Sequence, residues 1–234
     1  LKKYNSENYI ISTDTFINGI HCPDWVNVKF AIMRAILIAV SDLAAMAAKP
    51  YCIFLSASFP RDEYKSFFKD FRDGLNQGLL MTGMKLGGGD ICTYKGPVMF
   101  CITAVGLRKK KYVLKRSGAM PGEKLCVTGN IGEAKIGLDI LLKEKKITKN
   151  LFLNRSVKKF LSPPIRLKFS QQISSYVTSC IDISDGLITD SAKLAKNSKC
   201  ALNIYSDKIP LSSMAKKEIK KNNYKLKDLI SAGD

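Results

Sequence analysis

Nitrogen and sulfur metal ligands are scarce in this sequence of 234 residues. It has one histidine, and its seven cysteines include no pair with the C-x-x-C spacing that is typical of zinc sites. The cysteine count is odd, and several cysteines lie within apolar runs, as free thiols do in a reducing compartment. We therefore expect a cytoplasmic protein without a zinc site built on cysteines.

Long apolar runs are also missing. A membrane-spanning helix needs about 20 apolar residues, whereas the longest run here, residues 30–40, contains Arg34 and stops just before Asp42. The first residues include neither an apolar signal-peptide core nor an initiator methionine. We expect a soluble chain that does not enter a membrane.

Acidic residues are few: 20 Asp and Glu stand against 38 Lys and Arg, which gives a net charge of +18. Such a surplus favours anionic partners, including nucleotides and phosphorylated metabolites. The basic residues are mostly lysines in short runs, whereas nucleic-acid modules more often interleave arginine with aromatic residues. We expect no specific nucleic-acid target. A non-catalytic protein that binds nucleic acid or an anionic surface stays an alternative.

The apolar pattern predicts strands and helices that alternate along the chain, as in an α/β protein. A basic stretch followed by Pro121-Gly122 divides it, so we predict one domain over residues 1–119 and a second over 120–234. The predicted strands cover residues 9–14, 51–59, 98–107, 124–128, 179–183 and 201–205. The predicted helices include residues 26–48, with Asp24 as N-cap, 61–80, 187–195 and 213–222.

Asp42 lies in the almost entirely apolar run 36–46, which is part of a predicted helix. A buried carboxylate is costly unless it is neutralised, hydrogen-bonded or bound to a cation. No basic residue lies within one helical turn of it. Asp42 therefore either reaches the surface or receives positive charge from elsewhere.

Four stretches share one design, in which an apolar element leads to an aspartate among small residues. Oxygen donors without nitrogen or sulfur partners suit Mg²⁺, and several carboxylates at one cleft suit Mg²⁺-assisted phosphoryl transfer. Each stretch alone also fits an ordinary turn or a solvated helix face. The glycine run 87–89 predicts a tight loop and lacks the ending of a P-loop. The stretches are Ser12-Thr13-Asp14, Ser41-Asp42, Gly88-Gly89-Asp90 and Asp182-Ile183-Ser184-Asp185-Gly186.

In their order along the chain, these stretches resemble the thiamine-monophosphate kinase family. Its superfamily also contains aminoimidazole-ribonucleotide synthetase, selenophosphate synthetase and the hydrogenase maturation dehydratase. The resemblance covers the whole chain, and the Ser-Asp-Leu-Ala-Ala-Met segment favours the thiamine enzymes. Further matching segments are Gly19-Ile20-His21, Arg116-Ser117-Gly118-Ala119 with Pro121-Gly122, Val127-Thr128-Gly129 and Ser231-Ala232-Gly233-Asp234.

The resemblance implies a two-domain synthetase-like α/β fold, with a mixed N-terminal sheet flanked by helices and an incomplete C-terminal α/β domain. The first domain would bind ATP and Mg²⁺ and form a homodimer. The implied reaction moves the γ-phosphoryl group of ATP to thiamine monophosphate, which gives thiamine diphosphate, without a side-chain nucleophile.

The resemblance also assigns roles to residues of this chain. Arg116 would offer a planar fork to phosphate oxygens, and the amides at a helix N-terminus near Ser184 would favour phosphate. The implied Mg²⁺ ligands are Ser12, Thr13, Asp14, Asp42, Asp90, Asp182 and Asp185. The implied ATP contacts are Gly89, Asp90, Arg116 and Ser184, and the implied substrate contacts are His21 and Asp234.

The sequence departs from the family at several positions. An upstream Gly-Asp-Asp-Ala segment and the C-terminal third of the family are not present, so we expect a chain truncated at both ends and inactive by itself. Another enzyme of the superfamily with a different acceptor, or a decayed remnant, stays an alternative. Residues that differ from the family pattern are Cys22, Ala39, Ala47, Ile91 and Cys92.

Overall fold

The computed structural model describes residues 7–233, which form two compact units. The first unit comprises the described residues up to Val113 together with Pro164–Ser175, and the second comprises Leu114–Pro163 and the described residues from Tyr176 onward. The predicted functional domains, 1–119 and 120–234, stay a prediction. No helix within residues 7–233 is long and apolar enough to cross a membrane.

Strands and helices alternate in the first unit, whereas the second unit is mainly helical. The strands are β1 (Glu7–Ile17), β2 (Lys49–Pro60), β3 (Lys85–Tyr94) and β4 (Met99–Lys109). The helices are α1 (Val28–Ala45), α2 (Tyr64–Thr82), α3 (Glu133–Glu144), α4 (Lys149–Leu153), α5 (Arg155–Leu161), α6 (Leu167–Ile173), α7 (Leu187–Ser198), α8 (Ser213–Lys220) and α9 (Leu226–Ile230).

The four strands form one mixed sheet in the order β1-β4-β2-β3, which confirms the predicted fold class. The β1/β4 and β4/β2 pairs are antiparallel, and the β2/β3 pair is parallel. In register, Asp14 lies opposite Ile102, Ile102 opposite Leu55, and Leu55 opposite Gly89. Residues in one such row point to the same side of a sheet. Asp14 on β1 and Gly89 on β3 therefore lie on the same side.

Helix α1 is the centre of the first unit because most of its residues are apolar and twelve of them are buried. It begins after Asn27, whose side-chain oxygen accepts a hydrogen bond from the Lys29 amide at 2.8 Å. Asp24 is therefore not the N-cap that the sequence predicted. The chain leaves the helix through Ala47, whose φ of 57° lies in the left-handed region that favours glycine. A glycine would adopt this conformation without the steric cost that Ala47 bears.

Helix α2 packs closely on α1 because two glycines face it. A Cβ atom at Gly74 would lie 2.2 Å from the carbonyl oxygen of Lys29, and one at Gly78 would lie 2.7 Å from the Ile36 Cδ1 atom. The aromatic rings of Phe59, Phe71 and Phe100 meet with centroids 5.1–6.2 Å apart. The side of α2 that carries the buried residues Phe71 and Leu75 is therefore part of the core.

The glycine run before Asp90 lies in strand β3 and not in the loop that the sequence predicted. Parallel β2 supplies the backbone partners, and the register shifts between Ile53 and Phe54. A Cβ atom at Gly89 would lie 2.2 Å from the carbonyl oxygen of Leu55. Close approach of two backbones explains the need for glycine at that position.

The second unit contains two apolar clusters, centred on Ile131, Leu187 and Ile209 and on Ile136, Ala215 and Leu229. The segments 124–128, 179–183 and 201–205 are not strands in the described part of this unit, contrary to the sequence prediction. Their apolar residues Val127, Ile183 and Ile204 nevertheless pack on the first cluster. A strand requires a hydrogen-bonded neighbour in addition to a buried face, and apolar patterning reports only the face.

Candidate active site

The first unit brings Ser12 and Asp42 together although they are thirty residues apart. Ser12 lies on β1, faces α1 and donates a hydrogen bond from Oγ to the Asp42 Oδ2 atom at 2.5 Å. Both side chains are half-buried. Hydroxyl hydrogen bonds to an ionised carboxylate are short and strong, so this contact fixes the position of Asp42.

Asp14 points to the same side of β1 as Ser12, because side chains alternate along a strand. Burial raises the pKa of Asp14, and the negative charge of Asp42 raises it further. The Thr15 backbone amide and the His21 ring act in the opposite direction. Two carboxylates at one edge of the sheet thus repel each other, and a cation between them would relieve the repulsion.

The donor chemistry of Ser12, Asp14 and Asp42 fits Mg²⁺, which is usually held by one or two carboxylates together with water and substrate phosphates. Within residues 7–233, no group of three or more His, Cys, Asp and Glu side chains is arranged to hold a metal ion. A Mg²⁺ site in this unit would therefore rest on two carboxylates and need oxygen ligands from water or substrate.

Thr13 and Asp90 do not join this group. Thr13 points to the opposite face of β1, where its Oγ1 lies 3.0 Å from the Thr103 Oγ1 atom. Asp90 follows Gly89, which lies in the register row of Asp14, so Asp90 is also on that opposite face. Because β1 and β3 are the two edges of the sheet, about 14 Å of strand spacing separates them.

His21 is exposed and held by the turn that follows β1. Its Nδ1 atom accepts a hydrogen bond from the Ile17 amide at 2.9 Å, and its ring stacks on Phe16 with centroids 5.4 Å apart. An accepting Nδ1 leaves the proton of a neutral ring on Nε2. The carbonyl oxygen of His21 lies 3.4 Å from the Nε atom of Arg34, which is buried in α1. His21 therefore presents a donor from a fixed backbone.

Cys22, which directly follows His21, is one of the positions that differ from the family pattern. Its thiol is buried and donates to the Asn18 Oδ1 atom at 2.7 Å. Burial raises the pKa of Cys22 to about 12. Cys22 is therefore a protonated core residue beside His21, and it offers no aromatic surface to a ligand.

In the second unit, the turn 184–186 precedes α7 and is held by a residue that the sequence analysis missed. The backbone amides of Ser184 and Asp185 each donate to the Asp190 Oδ2 atom at 2.9 Å. These two amides therefore already have an acceptor in this structure, and the predicted phosphate contact at Ser184 stays a prediction. Asp190 is only 1% exposed. The sequence offers one sign of this residue, an aspartate in the first turn of an amphipathic helix. Such an aspartate is ordinarily interpreted as a favourable contact with the helix dipole.

Lys193 joins the predicted metal ligand Asp185 to Asp190. Its Nζ atom donates to the Asp190 Oδ1 atom at 2.8 Å and also to the Asp185 Oδ2 atom. Hydrogen bonds to these two carboxylates raise the pKa of Lys193, with Asp185 as the larger contribution. Asp185 thus already has a cationic neighbour in this structure.

The chain end packs directly against the turn 184–186. A Cβ atom at Gly233 would lie 1.6 Å from the Ser184 carbonyl oxygen, and one at Gly186 would lie 2.6 Å from the Ser231 carbonyl carbon. Gly186 also has a φ of 105°. The segment that leads to Asp234 is therefore adjacent to the turn, while Asp234 itself lies outside the described residues.

Arg116 and Asp182 lie on neighbouring segments of the second unit. The amide of Cys180 donates to the Lys115 carbonyl oxygen at 2.8 Å, and the Arg116 carbonyl oxygen lies 3.4 Å from the Ser198 Oγ atom. Arg116 is exposed and Asp182 is half-buried. The unit therefore brings two predicted ligand contacts to adjacent backbone positions.

Comparison with protein families gives a match to "AIR synthase related protein, N-terminal domain" over residues 2–108. The thiamine-monophosphate kinase of Buchnera aphidicola subsp. Schizaphis graminum is 36% identical over 217 residues, which cover 92% of this chain and 65% of the relative. The thiamine-monophosphate kinase of Escherichia coli K12 is 32% identical over 209 residues, which cover 89% of this chain and 63% of that enzyme. The chain thus spans slightly less than two thirds of these relatives.

Solved structures agree with the sequence relatives. AaThiL complexed with AMPPCP and TMP superposes with a TM-score of 0.89 at 26% identity, over 99% of this chain and 74% of that one. The thiamine-monophosphate kinase of Stenotrophomonas maltophilia K279a gives 0.88 at 25% identity, over 100% of this chain and 74% of its own. The hydrogenase maturation protein HypE of E. coli, at 12% identity and a TM-score of 0.74, has the same fold. The predicted resemblance is confirmed: in sequence and in fold the chain is similar to thiamine-monophosphate kinases, and residues 2–108 match the N-terminal domain of AIR synthase related proteins.

Proposed function

We propose that the protein to which residues 1–234 belong binds ATP and thiamine monophosphate and transfers the γ-phosphoryl group of ATP to the substrate phosphate, which yields thiamine diphosphate and ADP. The expectation that residues 1–234 are inactive by themselves stays a separate prediction. The observation that carries the proposal is the proximity of two carboxylates, Asp14 and Asp42, the second of which accepts a hydrogen bond from Ser12, in a chain similar to thiamine-monophosphate kinases. AaThiL, a structural relative, was solved with AMPPCP, an analogue of ATP, and TMP.

The proposed chemistry matches the surplus of positive charge in the chain. Two phosphate-bearing reactants repel each other, so positioning and charge neutralisation supply most of the rate in phosphoryl transfer. Mg²⁺, when bound, would neutralise phosphate oxygens. The residues proposed to hold it are Asp14 and Asp42 with Ser12, and Asp182 and Asp185 in the second unit, with Thr13 and Asp90 assigned only by the family resemblance.

The remaining assignments concern the two organic ligands. Arg116 would pair its guanidinium group with phosphate oxygens, and Ser184 would contribute its hydroxyl group, since its amide already has a partner. Gly89 and Asp90 complete the proposed ATP contacts. His21 would donate to the thiamine substrate from Nε2, and Asp234 stays a prediction from the family pattern.

We also propose that the chain forms a homodimer through the face of the sheet opposite α1. Four large apolar side chains on this face are 40–62% exposed: Tyr9, Ile11, Tyr51 and Phe54. A contiguous apolar surface of this kind marks a protein interface. Ile11→Lys should convert a dimer to a monomer in analytical ultracentrifugation. A wild-type chain that sediments as a monomer at micromolar concentration would refute the proposal.

The cytoplasmic location is a further proposal. All seven cysteines are free thiols in the structure, as is typical of proteins in a reducing compartment. Fractionation of the source cells with an antibody against the chain tests it, and recovery from an oxidising compartment would contradict it.

The central test replaces Asp42 with asparagine and measures two quantities. The first is the affinity for Mg²⁺·AMPPCP by calorimetry, and the second is formation of thiamine diphosphate, both measured on the protein as its gene encodes it, because residues 1–234 alone are expected to be inactive. We expect turnover to fall at least about 100-fold, which corresponds to about 2.7 kcal/mol of transition-state stabilisation. Asp62→Asn, at an exposed position in the first unit, is the matched control and should change neither quantity.

The outcomes separate the alternatives. A fall of less than about threefold, or about 0.7 kcal/mol, would show that Asp42 is not a metal ligand. Tight binding of polyanions that weakens steeply with salt, without Mg²⁺-dependent ATP turnover, would favour the anion-binding alternative. Turnover with another phosphoryl acceptor but not with thiamine monophosphate would indicate a different enzyme of the superfamily.

A further inference from the structure

Asp190 is a buried carboxylate whose negative charge would be unfavourable without hydrogen-bond or ion-pair partners. It is 1% exposed, and a buried charge is stable only when it is paired and hydrogen-bonded. Its two oxygens have different partners: Oδ1 accepts from the ammonium group of Lys193, and Oδ2 accepts from two backbone amides. Three donors thus compensate the charge, so Asp190 is stable as an ionised acceptor.

The two amides belong to Ser184 and Asp185, which lie upstream of α7. Asp190 is in the first turn of that helix, and its own amide donates to the Gly186 carbonyl oxygen at 3.0 Å. The side chain therefore reaches back past the start of the helix to the turn. Because one oxygen accepts two consecutive amides, the orientation of both peptide groups is set relative to α7.

The opposite side of the turn is also filled. The Ser184 carbonyl oxygen lies against Gly233, and Gly186 lies against Ser231, in both cases without space for a Cβ atom. The turn is therefore held between Asp190 on one side and residues 231–233 on the other. The side chains of Ser184 and Asp185 are left exposed at its surface.

We propose that Asp190 is a positioning residue that fixes the conformation of the turn 184–186 and thereby sets its affinity for nucleotide phosphates. The inference rests on the proposed function, because that function places Ser184 and Asp185 at ATP and metal. Asp190 itself is assigned no ligand contact, since its side chain is 1% exposed and its oxygens face Lys193 and the two amides.

The test compares Asp190→Ala and Asp190→Asn with a matched variant, Glu133→Ala. Glu133 is also a buried acid of the second unit, but it pairs with Arg155 at 3.3 Å and Lys159 at 3.9 Å rather than with the turn. Loss of that carboxylate therefore reproduces the general effect of removing a buried charge. Circular dichroism and urea unfolding first establish that each variant is folded under the conditions used.

The first readout is hydrogen exchange at the amides of residues 184 and 185, measured by NMR. Removal of a charged acceptor should accelerate exchange about tenfold or more at both amides in Asp190→Ala. The acceleration should be smaller in Asp190→Asn, which keeps one acceptor. Glu133→Ala should leave both rates within about threefold of the wild type. Equal rates in the wild type and in folded Asp190→Asn and Asp190→Ala would overturn the inference.

The second readout is the dissociation constant of Mg²⁺·AMPPCP from calorimetry. Asp190→Ala should weaken binding about tenfold, Asp190→Asn should lie between it and the wild type, and Glu133→Ala should bind normally. Faster exchange with unchanged affinity would overturn the link to nucleotide binding. A wild type that binds no nucleotide would instead refute the proposed function, and the exchange rates would still decide whether Asp190 holds the turn.

If Asp190→Ala does not fold, Asp190→Asn carries both readouts, because asparagine has nearly the same volume and retains an acceptor oxygen. Its expected signature is faster exchange at residues 184 and 185 with weaker nucleotide binding. Normal exchange and normal binding in that variant would overturn the inference.

Discussion

The hydrogen bond between Ser12 and Asp42 can be tested by a double-mutant cycle with Ser12→Ala, Asp42→Ala and the double variant. The Oγ–Oδ2 distance is 2.5 Å, and both side chains are half-buried. A hydrogen bond to a charged group contributes about 1.5–3 kcal/mol to stability. Since neither group is fully buried, we expect a coupling energy in the lower part of this range, about 1.5–2 kcal/mol.

The coupling energy is obtained from urea unfolding of the four proteins in EDTA, followed by circular dichroism. The cycle isolates the pair because other contacts of Asp42 are lost equally in both backgrounds. For a chain of this size the Ser12→Ala variant should also melt about 3–8 °C lower. Ser56→Ala, an exposed serine in the same sheet, should cost less than about 0.5 kcal/mol.

A coupling energy below about 0.5 kcal/mol would refute the reasoning, because the contact would then make no net contribution. Adding Mg²⁺ extends the test to the proposed site. Saturation at 100 times the dissociation constant should stabilise the wild type by about 2.7 kcal/mol. The Asp42→Ala variant should gain much less. Equal gains in both proteins would place any Mg²⁺ binding elsewhere.

Three further predictions concern other contacts. Burial raises the pKa of the Asp14 carboxyl group above its ordinary value of 3.8. Between the ordinary and the raised pKa, the folded state binds more protons than the unfolded state, so the free energy of unfolding falls as pH rises. Asp14→Asn lacks this titration, and in urea unfolding with EDTA it should gain stability relative to the wild type as pH rises through that window. Lys193→Met frees Asp185 from an exposed ion pair, while Asp190 keeps its two backbone amide donors, so the substitution should tighten Mg²⁺ binding about two- to fivefold by calorimetry. Gly74→Ala should cost about 1–3 kcal/mol in urea unfolding, because its Cβ atom would meet the Lys29 carbonyl oxygen at 2.2 Å.

Each of the three has its own control. Asp62→Asn, an exposed carboxylate, should follow the wild-type pH dependence, and a parallel course for Asp14→Asn would contradict the assigned sign. Lys196→Met, one turn further along α7, should leave Mg²⁺ affinity unchanged; weaker binding in Lys193→Met would mean that this lysine assists the site. Asn76→Ala, at an exposed position of α2, should be neutral, and an equally neutral Gly74→Ala would rule out tight packing of the two helices.

Local patterns in the sequence were sufficient to predict α1, α2, β1, β2 and β4, because the helices carry apolar residues at helical spacing and these strands are rich in β-branched and aromatic residues. They were insufficient for β3. Its glycines have little intrinsic preference for a strand, and the pairing with β2 that forms the strand is a contact between distant segments. Conversely, residues 201–205 have a strand-like composition, so the sequence predicts a strand, but they have no strand partner in the described region.

The candidate site was likewise predictable from the sequence only in part. The sequence indicated that Asp42 needed a partner, and the partner is a hydroxyl group on β1, which no local reading of α1 could supply. Alternation along β1 could have placed Thr13 on a different face from Ser12 and Asp14, and β3 as a strand would have done the same for Asp90. Asp190 could not be found in this way because its role depends on the turn folding back toward α7.

Helix α6 has a consequence for the order in which the chain folds during synthesis. It belongs to the first unit, where the Gln171 Nε2 atom donates to the Ala48 carbonyl oxygen at 3.0 Å, yet 50 residues of the second unit separate it from Val113. At about 5–20 residues per second, a ribosome adds those residues in about 3–10 s. During that interval the nascent first unit has all four strands but lacks its last helix. A chain cut after Val113 would hold this unfinished state permanently.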